Sequence, residues 1–245
     1  SPPEVYQPET EEQDLRRIMS ELEQACDELQ IEILGGHTEV SDAVNRPVIT
    51  VTGVGKVARG DLLSTGGMQP GDELVMTKWA GLEGSAIIAA EKRDVLEQTL
   101  PAHLIDTAES FLKHISVVPE AKIAMQHGVH AMHDVTEGGI FGALWEMGAA
   151  SGVGIVADLD KIPIRQETIE LCEVFDINPY LLISSGCMLI GCENGNLLVE
   201  RLQEAGIPAA VIGRATEGND RVIRSGEETR FLEPAGSDEL YKIYE

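Results

Sequence analysis

An apolar run that ends in His133-Asp134 and then breaks into Val135-Thr136-Glu137-Gly138-Gly139 constrains this chain more than any other stretch. Ala131 and Met132 read as the close of a short strand. Ile140, Leu144, Met147 and Ser151 then recur at the helical period, so a strand turns directly into a helix that Gly152 is placed to close. Such a corner belongs in a layered domain with helices packed on a sheet. It also carries chemistry. Asp134 stands at the carboxyl end of the strand, the two glycines permit close backbone approach, and the first N–H groups of the helix have no intrahelical partner. A place of this kind holds an anion or a metal-bound phosphate; the plainer reading is a capped corner without a ligand. On the first reading Asp134 is a metal ligand or proton acceptor, His133 a base or an orienting hydrogen-bond partner, and Gly138 and Gly139 the backbone seat.

The pattern around the corner predicts the rest of the architecture. After a Pro-rich lead-in at 1–8, Thr10 and Gln13 stand at capping-box spacing, and Leu15, Ile18, Leu22, Cys26 and Leu29 follow at helical period. A short strand is expected at 31–34, a turn at Asn45-Arg46-Pro47, and a β-rich run at 48–57. The turn-rich stretch 58–71 divides the chain into a first part, 1–60, and a second, 61–245. From residue 72 the expected order is strand, helices, strand, helix, strand, helix, strand, helix, strand, hairpin. The fold class is therefore α/β (or α+β), with a complete second domain. One helix and two strands in the first part make only a remnant of a domain.

Charge narrows the partners. The chain holds 42 acidic and 18 basic residues, a formal net charge of −24, which argues against nucleic acid or an anionic membrane surface. An anionic substrate such as ATP needs local compensation from Mg²⁺, Lys, Arg or helix N-termini. The four cysteines, Cys26, Cys172, Cys187 and Cys192, form no C-x-x-C pair and read as small buried hydrophobes, which suits a reducing cytoplasm. No signal peptide and no apolar run of membrane length is present in the sequence.

Further candidates lie elsewhere. Gly35-Gly36-His37-Thr38-Glu39 follows the expected strand at 31–34; Glu39 offers a carboxylate to Mg²⁺ and Thr38 a hydroxyl to a phosphate, while a routine Gly-Gly turn is the plain alternative. Lys78, before Gly81-Leu82-Glu83-Gly84, supplies charge beside a glycine-rich strand-to-helix turn, although the stretch does not match the P-loop pattern. His127, His130 and His133 do not form a metal site, because Gly128 breaks the helix that would align them. Ser184-Ser185-Gly186 could line a pocket, but it lacks the nucleophile elbow of a serine hydrolase.

Taken together, Gly35–Glu39, the run 48–57, Pro70-Gly71-Asp72, Gly81–Gly84 and His133–Gly139 stand in the order found in one superfamily. The chain resembles the aminoimidazole ribonucleotide (AIR) synthase-related family. Its members include HypE-type hydrogenase expression/formation proteins, selenophosphate synthetase, thiamine-monophosphate kinase and formylglycinamide ribonucleotide amidotransferase. The resemblance implies a two-domain AIR synthase-like fold and a homodimer built through the N-terminal domains. It also implies ATP bound between domains and Mg²⁺-dependent phosphoryl transfer to an oxygen or selenium nucleophile on a small-molecule or protein-bound substrate. By the same resemblance Gly35, Gly36, His37, Thr38 and Glu39 lie near the metal-phosphate, with Asp134, Gly138 and Gly139 on the substrate side. Members carry acidic Mg²⁺-ATP ligands upstream of the first helix, so the chain is expected to lack about its first third and to be inactive in this form. It ends in Tyr241-Lys242-Ile243-Tyr244-Glu245, not in the terminal Cys of the hydrogenase-type proteins. The alternative is a non-catalytic ligand-binding or assembly paralogue.

Overall fold

A computed structural model describes residues 12–44, 47–234 and 236–244. The lead-in at 1–8, the Thr10 cap and the Asn45-Arg46 portion of the expected turn lie outside these residues. The chain separates into two compact units, residues 1–57 and 58–245.

In the first unit, α1 (Glu12–Leu29) is the one regular element among the described residues. Pairs one turn apart, such as Arg16 with Glu12 at 2.6 Å, support it, and Gln30 closes it in the left-handed region at φ 58°. No residue of α1 is buried. The strands expected at 31–34 and 48–57 do not form: both segments are irregular and exposed. The apolar pattern was legible, but a strand exists only through a hydrogen-bonded neighbour. No described residue supplies one, so Leu34 and Val54 remain exposed.

The second unit follows the expected element order from residue 72. It runs β1 (Glu73–Thr77), α2 (Leu82–Glu91), α3 (Arg93–Leu96), α4 (Ala102–Glu109), α5 (Val118–Ala124), β2 (Val129–Asp134), α6 (Gly139–Ser151) and β3 (Gly154–Asp158). It continues with α7 (Gln166–Phe175), β4 (Met188–Cys192), α8 (Gly195–Glu204), β5 (Ala209–Thr216), β6 (Arg221–Ser225) and β7 (Glu228–Phe231). The strands form one sheet in the order β2–β4–β1–β5–β3–β6–β7, with β3–β6 parallel and the other neighbours antiparallel.

Period-two alternation splits each strand between two layers. Leu74 and Met76 of β1 join Ala131, Ile155 and Ile223 under α2, α4, α6 and α7 in the larger core. Val75, Val129, Met188 and Ile190 face the other way, against Ala124 of α5 and Leu198 and Leu202 of α8. Local signals end the helices: Gly152 caps α6 at φ 66°, and the Asn194 side chain accepts from the Leu197 N–H to start α8.

Candidate functional site

The corner between β2 and α6 forms as its sequence indicates, but its two polar residues part company. Successive side chains on a strand point to opposite faces. His133 pairs with Leu189, on the side of the larger core, and Asp134 pairs with Met188, on the side of α5 and α8. The structure therefore does not bring His133 and Asp134 together as a catalytic pair. Asp134 is exposed at the strand end and has no partner among the described residues.

His133 is held from both ring nitrogens. Nε2 lies 2.9 Å from Glu146 Oε2 on α6, and Nδ1 lies 3.2 Å from Thr65 Oγ1. A carboxylate only accepts, so Nε2 carries the proton toward Glu146, while Nδ1 shares a hydrogen bond with the Thr65 hydroxyl. Neither Thr65 nor Glu146 carries a local motif that marks it as a partner of His133. Separations of 68 positions in one case and 13, from strand to helix, in the other hide both from sequence reading. His130 bonds Asp72 through Nδ1 at 2.9–3.0 Å, and His127 bonds the Ile123 carbonyl at 2.8 Å. The three histidines thus have separate partners, and no group of three or more metal-ligating side chains exists among the described residues.

The Gly138-Gly139 turn differs most from expectation. Both residues adopt left-handed conformations, φ 79° and 58°. The Gly138 N–H does not point outward: it donates to Asp238 Oδ2 at 2.7 Å. Asp238 Oδ1 accepts from the Ile183 N–H at 3.2 Å and the Leu240 N–H at 2.8 Å. The carboxylate, only 4% exposed, is thus an internal anion seated at the start of α6. A Cβ on Gly139 would lie 2.6 Å from the Tyr180 carbonyl oxygen, so glycine there serves backbone packing. Asp238 stood in a tail with no motif, and nothing in its neighbourhood connects it to a residue 100 positions earlier.

Lys78 is likewise turned inward. Its Nζ donates to the carbonyls of His114, Ser116 and Gly186 at 2.7–2.8 Å and pairs with Glu120 Oε1 at 2.5 Å. Its charge is matched inside the protein, which corrects the expectation that it faces an anion at the Gly81–Gly84 turn. That turn is a packing joint. The Gly81 N–H donates to Ser184 Oγ at 2.6 Å, and a Cβ on Gly84 would overlap Leu182 at 2.4 Å. Ser184 is buried, and burial pushes the neighbouring Cys187 thiol up to about 12, as it does Cys172 and Cys192. None of these three thiols is a nucleophile near neutral pH. In the first unit, Gly35, Gly36, His37, Thr38 and Glu39 are all exposed.

Comparison with known proteins adds to this geometry. The family described as AIR synthase related protein, C-terminal domain, matches residues 69–225, and the corresponding N-terminal domain matches residues 4–57. The carbamoyl dehydratase HypE of Rhodobacter capsulatus is 26% identical over 216 residues, which cover 86% of this chain and 61% of the relative. The chain spans about three fifths of the length of the first curated relatives it matches. The solved structure of hydrogenase maturation protein HypE in complex with ATP shares the fold at a TM-score of 0.72 and 18% identity, covering 95% of this chain and 71% of that one. ThiL complexed with AMPPCP and TMP shares it at a TM-score of 0.63 and 17% identity, over 90% of this chain and 68% of that one. No described helix is long and apolar enough to cross a membrane.

Proposed function

Because this chain belongs to the AIR synthase-related protein family, we propose that it acts in ATP-dependent, Mg²⁺-requiring phosphoryl transfer that activates an amide or carbonyl oxygen or a similar nucleophile. The observation that carries the reading is the fold shared over 95% of the chain with a protein that binds ATP. In the reaction the nucleophile attacks the γ-phosphorus, the bond to the bridging oxygen breaks, and ADP leaves. Mg²⁺, when bound, neutralises charge on the phosphate oxygens. It takes one or two carboxylates and otherwise waters and phosphate oxygens, so it does not need a preformed cluster. Asp134, exposed and partnerless at the end of β2, suits that role, and Glu39 is a second exposed carboxylate. His133, fixed between Glu146 and Thr65, orients this end of β2.

The uncovered apolar residues Ile31, Ile33, Val48, Ile49 and Val51 support a homodimer assembled through the first unit. The free cysteines Cys26, Cys172, Cys187 and Cys192 suit a reducing cytoplasm. A second reading, a ligand-binding or assembly paralogue without turnover, is favoured by the Gly138 N–H and the Lys78 ammonium. Both are satisfied inside the protein. ADP release with Mg²⁺-ATP and carboxamide substrates separates the two. The catalytic reading predicts release that falls at least tenfold in Asp134→Asn with unchanged folding. Unchanged release in that variant removes Asp134 from the mechanism, and ATP binding without any release favours the paralogue.

A further inference from the structure

Just past the end of β1, four oxygens surround one charge. Lys78 Nζ lies 2.7 Å from the carbonyls of His114 and Ser116, 2.8 Å from that of Gly186, and 2.5 Å from Glu120 Oε1. An ammonium has three N–H donors, and the three carbonyls use them. The carboxylate oxygen is a fourth neighbour that makes no hydrogen bond and is held by charge alone. Glu120 is fully buried, and its second oxygen, Oε2, has no hydrogen-bond partner among the described residues either. A shell with more oxygens than protons is built for a cation. Carbonyls and carboxylates replace the water of a bare ion in the same way.

The backbone builds most of this shell. Its carbonyls stand 36, 38 and 108 positions from Lys78. His114 closes the 3-10 turn at 110–114, Ser116 precedes α5, and Gly186 precedes β4. Gly186 lies at φ 103°, and a Cβ there would come within 2.9 Å of the His114 carbonyl oxygen. Glycine at 186 thus lets two of the carbonyl-bearing segments meet. Lys78 itself lies in the left-handed region at φ 54°, which glycine adopts more freely than lysine.

We propose that the carbonyls of His114, Ser116 and Gly186 and the carboxylate of Glu120 form a monovalent-cation seat, which the protein fills with its own Lys78 ammonium. One carboxylate sets the class of ion, K⁺ or ammonium, because a divalent ion would leave a net charge buried. In the natural protein the tethered cation clamps three segments and makes their joint indifferent to the salt present. The joint reaches the end of β2: the Val135 N–H donates to the Cys187 carbonyl at 3.1 Å, and Met188 stands opposite Asp134. The inference does not depend on phosphoryl transfer, and its test measures no activity.

Lys78→Gly suits the left-handed backbone and leaves the seat open. Circular dichroism melts of the full chain are compared in potassium, ammonium and choline chloride at equal ionic strength, choline being too large for this shell. A cation at about ten times its Kd raises Tm by roughly 3–6 °C. The account expects a rise of that size for Lys78→Gly in K⁺ or ammonium over choline, and none for the wild type. Lys78→Gly combined with Glu120→Leu lacks the carboxylate, leaves no unpaired buried charge, and is expected to melt alike in all three salts. Equal melts of Lys78→Gly in the three salts overturn the proposal, as does a single variant that stays unfolded in all of them. A response as large in the wild type or in the double variant also overturns it. Those results would leave Lys78 and Glu120 as an ordinary buried ion pair.

Discussion

Replacing Asp238 with Ala tests how the start of α6 is held. Its carboxylate accepts three backbone N–H bonds, from Gly138, Ile183 and Leu240, at 2.7, 3.2 and 2.8 Å, and the side chain is buried. A hydrogen bond to a charged group contributes about 1.5–3 kcal/mol, and a buried donor left without a partner costs about 1–3 kcal/mol. The three bonds share one carboxylate and are not additive, and water reaches some of the vacated donors. The net loss for Asp238→Ala is therefore about 3 kcal/mol. In a unit of this size about 1 kcal/mol moves Tm by roughly 2–4 °C, so the melt falls by about 6–12 °C. Asp238→Asn keeps one acceptor oxygen but turns an NH₂ group toward an N–H donor, and its melt falls between the two. Circular dichroism melts give the shift, and amide hydrogen exchange identifies the site, with faster exchange at Gly138, Ile183 and Leu240. A melt for Asp238→Ala within about 1 °C of wild type, or unchanged exchange at Gly138, refutes the clamp.

Two other predictions concern the interior. Lys78→Met leaves Glu120 buried without its counter-charge and costs about 3–5 kcal/mol in urea unfolding, whereas Lys78→Met combined with Glu120→Leu recovers much of that loss; equal stability of the single and double variants contradicts the buried pair. Burial raises the thiols of Cys172, Cys187 and Cys192 to about 12, so in the unfolded chain they ionise at lower pH than in the native one. Their contribution to stability is complete below the ordinary thiol pKa and declines as pH rises from about 9 toward 12. At pH 8 a thiol reagent labels Cys26 alone in the native protein; rapid labelling of a second cysteine contradicts the burial.

Much of the second unit is legible in the sequence because its signals are local. The Gly152 cap, the strand ending at Asp134 and the element order from residue 72 rest on periodicity and capping within a few residues. The strand order β2–β4–β1–β5–β3–β6–β7 is not legible, since pairing depends on residues far apart in the chain. The same limit explains the site. Lys78 sits where a strand meets a glycine turn, which suits an anion, but its direction follows from a left-handed backbone at φ 54° and carbonyls more than 35 positions away. Gly138 precedes a helix whose first N–H groups lack intrahelical partners, and the sequence pattern points them outward to a ligand. The anion that meets the Gly138 N–H is Asp238, from the protein itself. The apolar runs at 31–34 and 48–57 read as strands, yet periodicity describes a face and cannot supply the neighbour that face requires.

Calorimetric titration of the protein with AMPPCP, with and without Mg²⁺, tests the proposed function most directly, because binding does not require knowledge of the phosphoryl acceptor. The account predicts saturable binding that needs Mg²⁺ and weakens at least tenfold in Asp134→Asn, with the melt of that variant unchanged. No binding at millimolar nucleotide, or equal affinity in Mg²⁺ and in EDTA, would contradict it.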